Sequence, residues 1–201
     1  MKRRIKYLAI VIFIVILAVL LSFQKISFKI YPEKENLEES IITEDLNHHI
    51  VKQTFSINSG YIDGIKVKTA TFDKSLEGTL RVTLNKDNSP IASKEINAAD
   101  IKNNDETDIA FNESIKITPG EYTVVFDTTS LENETPMTFY VRKGIDNNLL
   151  TNSKGVIEKS ILEMQYYYNG FSTKRFVYLS ASSLCLFLYV NFVAKLLRNK
   201  N

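Results

Sequence analysis

Residues Gly78–Ile96, GTLRVTLNKDNSPIASKEI, hold the pattern that decides the fold. Leu80, Val82 and Leu84 alternate with polar neighbours, Asn85-Lys86-Asp87-Asn88-Ser89-Pro90 makes a polar turn, and Ile91–Ile96 offers a second short run. Successive side chains of a strand point to opposite faces, so this spacing puts one face on a core and the other in water. The same period recurs on both sides. Val51, Gln53, Phe55 and Ile57 alternate in VKQTFSI before the turn Asn58-Ser59-Gly60, and Ile65, Val67 and Thr69 alternate in GIKVKT. Ile109 and Phe111 begin another run, and Ile115 and Ile117 lead into Thr118-Pro119-Gly120. Tyr122, Val124 and Phe126 follow in EYTVVFDTT, then Met137, Phe139 and Val141 in MTFYVRK. Many such runs divided by turn residues, with no long amphipathic helical pattern among them, predict a mainly β fold, a jelly-roll-like antiparallel β-sandwich over residues 47–170. Val156–Tyr168 reads two ways. Ile157, Ile161 and Met164 would share a helical face, whereas Leu162, Met164, Tyr166 and Tyr168 alternate; the aromatic end and Asn169-Gly170 favour a last strand.

Two uncharged apolar blocks flank this region, Tyr7–Gln24 and Phe176–Ala194. At about 1.5 Å per residue the first approaches the thickness of a bilayer's hydrocarbon core. Lys2, Arg3, Arg4 and Lys6 precede it, and positive charge stays cytoplasmic. A cleaved signal peptide would need a shorter apolar run and a small-x-small site, which Ser22-Phe23-Gln24-Lys25 does not supply, so an uncleaved anchor is expected. The second block is diluted by Ser180, Ser182, Ser183 and Asn191; Lys195, Arg198 and Lys200 follow it, while Lys174 and Arg175 on its other flank oppose the same orientation. A buried helix of a soluble domain is the alternative, and an apolar character nearly all round argues against it. Ser180-Ala181-Ser182-Ser183 would let another helix approach closely. The expected layout is a cytoplasmic stretch 1–6, a transmembrane α-helix 7–24, a linker 25–46, the extracytoplasmic sandwich 47–170, a second transmembrane α-helix 176–194 and a cytoplasmic tail 195–201. That is a two-pass protein of a bacterial cell membrane with both termini cytoplasmic.

The chain of 201 residues carries 25 basic and 23 acidic side chains, and a net charge of +2 argues against nucleic acid as a partner. Cys185 is the lone cysteine, so no intramolecular disulfide exists; with Ile, Lys and Asn abundant and Trp absent, this suits a bacterial surface. Chemistry-bearing patterns are few. His48 and His49 are adjacent and point apart, and no third ligand completes a metal site. Cys185 lies in the second apolar block, no Gly-x-Ser-x-Gly occurs, and the glycines are scattered in turns. Asp105, Glu106 and Asp108 with Asn103 and Asn104 suit either calcium or a solvated loop, and the loop is the better reading. Asn112-Glu113-Ser114 and Asn133-Glu134-Thr135 match the N-glycosylation pattern, a chance match in a bacterial protein. Tyr166-Tyr167-Tyr168 could stack on a sugar ring or anchor at the membrane surface, with anchoring favoured. No catalytic residue, metal ligand or cofactor is expected, and the ligand-binding residues are not identified.

Four short motifs carry a resemblance: Gln53-Thr54-Phe55, Gly64-Ile65-Lys66-Val67, Glu77-Gly78-Thr79-Leu80 and Pro119-Gly120-Glu121-Tyr122. Their order between an N-terminal anchor and a membrane helix resembles the extracytoplasmic β-sandwich of some multi-pass bacterial membrane proteins associated with cell-surface polysaccharide synthesis. Those proteins carry many further membrane helices after the sandwich, whereas this chain has one. The resemblance implies a non-enzymatic cell-envelope accessory protein, whose sandwich binds a surface glycan or a partner protein and whose helices meet the membrane and a polytopic membrane protein. A truncated or partner-dependent membrane glycosyltransferase and a structural or sensory envelope protein are the alternatives.

Overall fold

The computed structural model describes residues 2–31, 41–42, 49–58, 60–131, 137–143, 150–156 and 160–198. The chain divides into two compact units, one formed by Met1–Ile26 with Asn169–Asn201, the other by Ser27–Tyr168. It is mainly β, with antiparallel sheets and two helices. In chain order the elements begin with α1 (Lys2–Leu21), β1 (Phe23–Lys29), β2 (Ile41–Ile42), β3 (Ile50–Ile57), β4 (Gly60–Ala70), β5 (Thr79–Lys86), β6 (Ser89–Asn97) and β7 (Asp105–Ile117). They continue with β8 (Gly120–Asp127), β9 (Thr138–Lys143), β10 (Leu150–Asn152), β11 (Gly155–Val156), β12 (Ser160–Leu162), β13 (Met164–Phe171) and α2 (Thr173–Arg198).

The six-stranded sheet runs β11-β10-β3-β8-β5-β6. Its period-two pattern is realised: Val51, Leu80, Val82, Leu84, Val124 and Phe126 are wholly buried. The β5–β6 hairpin turns on Asp87 and Asn88, whose φ values of +50° and +63° suit the two-residue turn that follows strand twist. Pro90 has no N–H to donate, and it sits in β6 at the sheet's edge, where none is needed. The seven-stranded sheet runs β1-β13-β4-β9-β12, with β2 on β9 and β7 on β4. The two runs around Ile109 and Ile115 are one strand, β7. Its ladder with β4 shifts register between the pairs Ile62–Ile115 and Gly64–Ala110, which breaks the period there.

Side chains from both sheets share one hydrophobic cluster; Phe126 of β8 meets Phe139 of β9 with ring centroids 4.9 Å apart. Burial of each such side chain contributes about 2 kcal/mol. Gln53 occupies a core position of β3 although it is polar, because its Oε1 accepts the Leu162 N–H of β12 at 3.1 Å.

The final segment is strand, as its alternation predicts, over β12 and β13. All three residues of Tyr166–Tyr168, expected at a membrane surface, make packing contacts within the protein. Tyr166 stacks on Phe28 and Phe55 at 5.2 and 6.0 Å, and Tyr168 stacks on Phe28 at 6.0 Å. Tyr167 is buried opposite Gly64 of β4, and its hydroxyl donates to Asp108 Oδ1 at 2.7 Å. Only glycine fits opposite it: a Cβ at position 64 would fall on the Tyr167 hydroxyl and ring and lie 2.6 Å from the Ile109 carbonyl oxygen.

In the other unit α1 and α2 lie antiparallel. Tyr7 meets Phe187 edge-on at 6.0 Å, and Ser172 N–H donates to the Ser22 carbonyl at 2.9 Å at the opposite end. Among the described residues one helical stretch, Thr173–Val193, is long and apolar enough to cross a membrane; the apolar part of α1, Ala9–Leu21, is shorter. The first apolar block therefore ends earlier than residue 24. Ser22 donates its hydroxyl to the Ala18 carbonyl at 2.5 Å, and the backbone of Phe23 and Gln24 is taken by β1. The expected linker 25–46 also contains strand, in β1 and β2, because β1 finds its partner in β13 at the far end of the chain. Helix α2 exceeds residues 176–194 at both ends. In the Ser180–Ser183 patch Ser180 buries its hydroxyl, whereas Ala181 and Ser182 are exposed. Residues 32–40 and 43–46 of the linker, His48, Asn133-Glu134-Thr135 and residues 199–201 of the tail lie outside the described residues.

Two outcomes follow for the β unit. Gly64→Ala should destabilise it by about 2–3 kcal/mol in chemical denaturation, because neither the Ile109 carbonyl nor the Tyr167 ring can give way. Burial, with the Asp108 hydrogen bond second, raises the Tyr167 pKa above its ordinary 10.0. The unfolded chain therefore releases that proton first, so this contribution is intact below pH 10 and is lost as pH rises beyond it. Tyr167→Phe should lower stability by about 1 kcal/mol at neutral pH and make the alkaline decline shallower.

Candidate functional site

Strand alternation that sends Ile65 and Val67 of β4 inward sends Lys66 and Lys68 outward. The ladders bring Asp108 opposite Lys66, Glu106 opposite Lys68 and Asp105 opposite Thr69 from β7, and Gln165 opposite Lys66 from β13. Tyr140 and Arg142 of β9 complete a polar outer surface of the seven-stranded sheet, reached by Lys68 and Glu163 respectively. A cleft of about 340 Å³ opens here, lined by Tyr31, Lys68, Asn104, Asp105, Glu106, Glu163, Met164 and Gln165. That volume lies at the lower end of small-ligand sites.

Glu163 organises the cleft. It stands between β12 and β13, where the chain's pairing changes from β9 to β4. Its N–H donates to the Tyr140 carbonyl at 2.8 Å, and its carbonyl accepts Lys68 N–H at 3.0 Å. Its carboxylate side chain is 9% exposed, and it pairs with Arg142 at 2.5 Å and Lys68 at 3.6 Å. A carboxylate buried to this degree stays charged only when paired. The two cations also cover aromatic faces: Lys68 Nζ is 4.3 Å from the Tyr140 ring centroid, and the Arg142 guanidinium is 4.9 Å from that of Tyr31. Burial raises the Tyr31 pKa, with Lys29 opposing, so its phenol remains a neutral donor.

The far wall comes from the start of β7. Tyr140 donates its hydroxyl to Asn104 Oδ1 at 2.6 Å, and Gln165 Nε2 donates to Glu106 Oε1. Glu106 also pairs with Lys66 at 3.6 Å. The Asp105 pKa is lowered by the Glu106 N–H it accepts and by Lys102 at 3.3 Å. Asn103 folds the adjoining loop: its Oδ1 accepts the N–H of Thr71 at 2.8 Å and of Phe72 at 3.1 Å, and its Nδ2 donates to Asp73 at 2.5 Å. Phe72 is held there at φ +53°, a left-handed conformation a bulky residue rarely adopts, with its ring 48% exposed.

The acidic group Asp105, Glu106 and Asp108 thus starts a strand instead of a loop, and its carboxylates turn to Lys102, Lys66 and Tyr167. Among the described residues no group of three or more His, Cys, Asp or Glu is placed to hold a metal ion. His49 precedes β3, and its carbonyl accepts the Thr128 hydroxyl at 2.9 Å. Cys185 is exposed on α2, and Asn112-Glu113-Ser114 is exposed on β7. None of these joins the cleft. Tyr31, Lys68, Glu163, Met164 and Gln165 were not singled out from the sequence as site residues. They come from distant segments, and only strand register unites them. In comparisons with known proteins, no family model matches the chain and no curated protein matches it.

Glu163→Gln should cost about 2 kcal/mol in denaturant-unfolding experiments, because Lys68 and Arg142 lose a shared counter-charge in a partly desolvated place. Asn103→Ala should cost about 1–2 kcal/mol, and proteolysis should then cut first within Thr71–Lys74.

Proposed function

We propose that this chain is a non-enzymatic, membrane-anchored accessory protein of the bacterial cell envelope, and that its β unit binds a surface glycan through the cleft beside Glu163. The observation that carries this reading is the cleft's composition: amide, carboxylate, ammonium and phenol groups at close spacing, held by mutual ion pairs and beside two tyrosine rings. Sugar hydroxyls donate and accept equally, so they suit a surface where donors and acceptors alternate and charge is internally balanced. Phe72, presented at some backbone cost next to Asn103, supplies an apolar face at the margin.

In this reading the two sheets close on their common core as a jelly-roll-like β-sandwich. Both helices lie in the membrane, with both termini cytoplasmic and the sandwich outside. Helix α1 has 20 residues, which at about 1.5 Å each approaches the hydrocarbon thickness. The antiparallel pairing of α1 and α2 supports this topology, because it brings Lys2–Lys6 and Lys195–Arg198 to one end of the pair. The resemblance to sandwich domains of polysaccharide-synthesis membrane proteins gives the ligand class, and a polytopic membrane protein is the partner to which the exposed apolar surface of α2 is suited.

The test is binding of envelope glycan fragments to the full chain in nanodiscs, followed by calorimetry. Unchanged protein should bind, and Gln165→Ala with Lys68→Ala should weaken binding about tenfold or more, the loss of two polar contacts to a buried ligand. If no envelope glycan binds while a membrane protein co-purifies through the β unit, the glycan reading fails.

A further inference from the structure

We propose that the recess at the start of α2 is a binding site for a phosphate-bearing anion, supplied either by the headgroup of an anionic phospholipid or by free phosphate. The recess measures about 300 Å³ and is lined by Gln24, Ser172, Lys174, Arg175 and Tyr178. Arg175 donates from its guanidinium to Gln24 Oε1, a neutral acceptor that fixes the side chain and leaves its charge uncompensated. Lys174 makes no ion pair among the described residues.

The charge arithmetic of the chain gives this pair its meaning. All 23 acidic residues lie within Ser27–Tyr168, while the helical unit contains ten Lys and Arg and no Asp or Glu. No Asp or Glu side chain of their own unit can therefore neutralise Lys174 and Arg175. Two of the first amides of α2 are already taken by Ser172: Arg175 N–H donates to its hydroxyl at 3.2 Å and Phe176 N–H to its carbonyl at 2.9 Å. A guanidinium fork, an ammonium and the exposed Tyr178 hydroxyl form the donor set that a phosphate group requires. Tyr178 is also the residue type that settles at headgroup level. In the two-pass arrangement proposed above these cations lie on the outer flank, where the positive-inside bias disfavours them, and an anionic ligand accounts for their presence. The lipid source rests on that membrane reading; the anion site does not.

The experiment uses the full chain in phosphatidylcholine nanodiscs containing a minority of phosphatidylglycerol, with lipid retention read by native mass spectrometry. Unchanged protein should retain phosphatidylglycerol over phosphatidylcholine, and Lys174→Gln with Arg175→Gln should reduce that preference about tenfold or more, near the sum expected for two interfacial cations. Exchanging the two cations, Lys174→Arg with Arg175→Lys, should keep most of it. Removing two exposed lysines elsewhere, Lys52→Gln with Lys116→Gln, should leave it unchanged. Displacement of the lipid by inorganic phosphate would identify the free anion as the source; retention in excess phosphate would identify the headgroup. Equal phosphatidylglycerol preference in the Lys174→Gln, Arg175→Gln protein would overturn the site, as would no binding of either probe by the unchanged protein. Failure of the membrane reading shows separately, as release of the chain from membranes by alkaline carbonate.

Discussion

A strand that leaves one neighbour and joins another without a turn must satisfy the backbone of both at a single residue. In this protein that residue is Glu163. Upstream, β12 pairs with β9; downstream, β13 pairs with β4; between them the Glu163 N–H and carbonyl each reach a different strand. The side chain repeats the same bridge through Arg142 and Lys68. Backbone and side chain therefore hold β9 and β4 in one sheet, and the positions of Met164 and Gln165 in the cleft follow from that handover. A neutral residue there would leave two half-buried cations facing each other. This makes the ion triad a condition of the sheet as well as of the site.

Gly64 of β4, opposite Tyr167 of β13, sets a second constraint. Tyr167 lies where a side chain at position 64 would be, and it carries its hydroxyl across β4 to Asp108 of β7. Three strands are thus tied by one buried phenol, next to the register shift between Ile62 and Gly64. The shift is tolerated because Gln165–Lys66 and Tyr167–Gly64 keep the pairing on the other edge in step. The cleft borrows its order from this arrangement, since Glu106 and Asp105 precede Asp108 on the same strand.

Much of the fold was readable because one face of most strands is buried. The alternation in β3, β5, β8 and β9 names core positions directly, and even Gln53 falls in the inward series, whereas edge strand β6 buries no residue fully and leaves Ile91 exposed. What escaped has specific causes. In β1 the run FQKISFK does alternate, but its lysines read as linker, and its partner β13 lies at the other end of the chain. Strands β2, β10 and β11 have only two or three residues, too few for any period. The cleft escaped for a different reason. Lys66 and Lys68, Glu106 and Asp108, Tyr140 and Arg142 are simply the outward members of alternating strands, indistinguishable from solvated positions until the ladders align them. The acidic cluster drew attention because its residues are contiguous in sequence, yet the ladder separates their carboxylates.

The two candidate sites differ in how their charge is compensated, and that difference predicts what each can hold. In the cleft Glu106 pairs with Lys66 and Glu163 with Lys68 and Arg142, all cations of neighbouring strands, and Lys68 and Arg142 also rest on tyrosine rings. A charged ligand entering there would have to break an existing pair to make a new one, so net gain falls to neutral hydroxyl-rich molecules that bond to what the pairs leave open. At the start of α2 the opposite holds. Two cations stand in a unit with no Asp or Glu side chain, and neither makes an ion pair with a described residue. An anion gains the full interaction there at no cost to an internal pair. The +2 net charge of the chain conceals this division, because the acidic β unit and the basic helical unit nearly cancel.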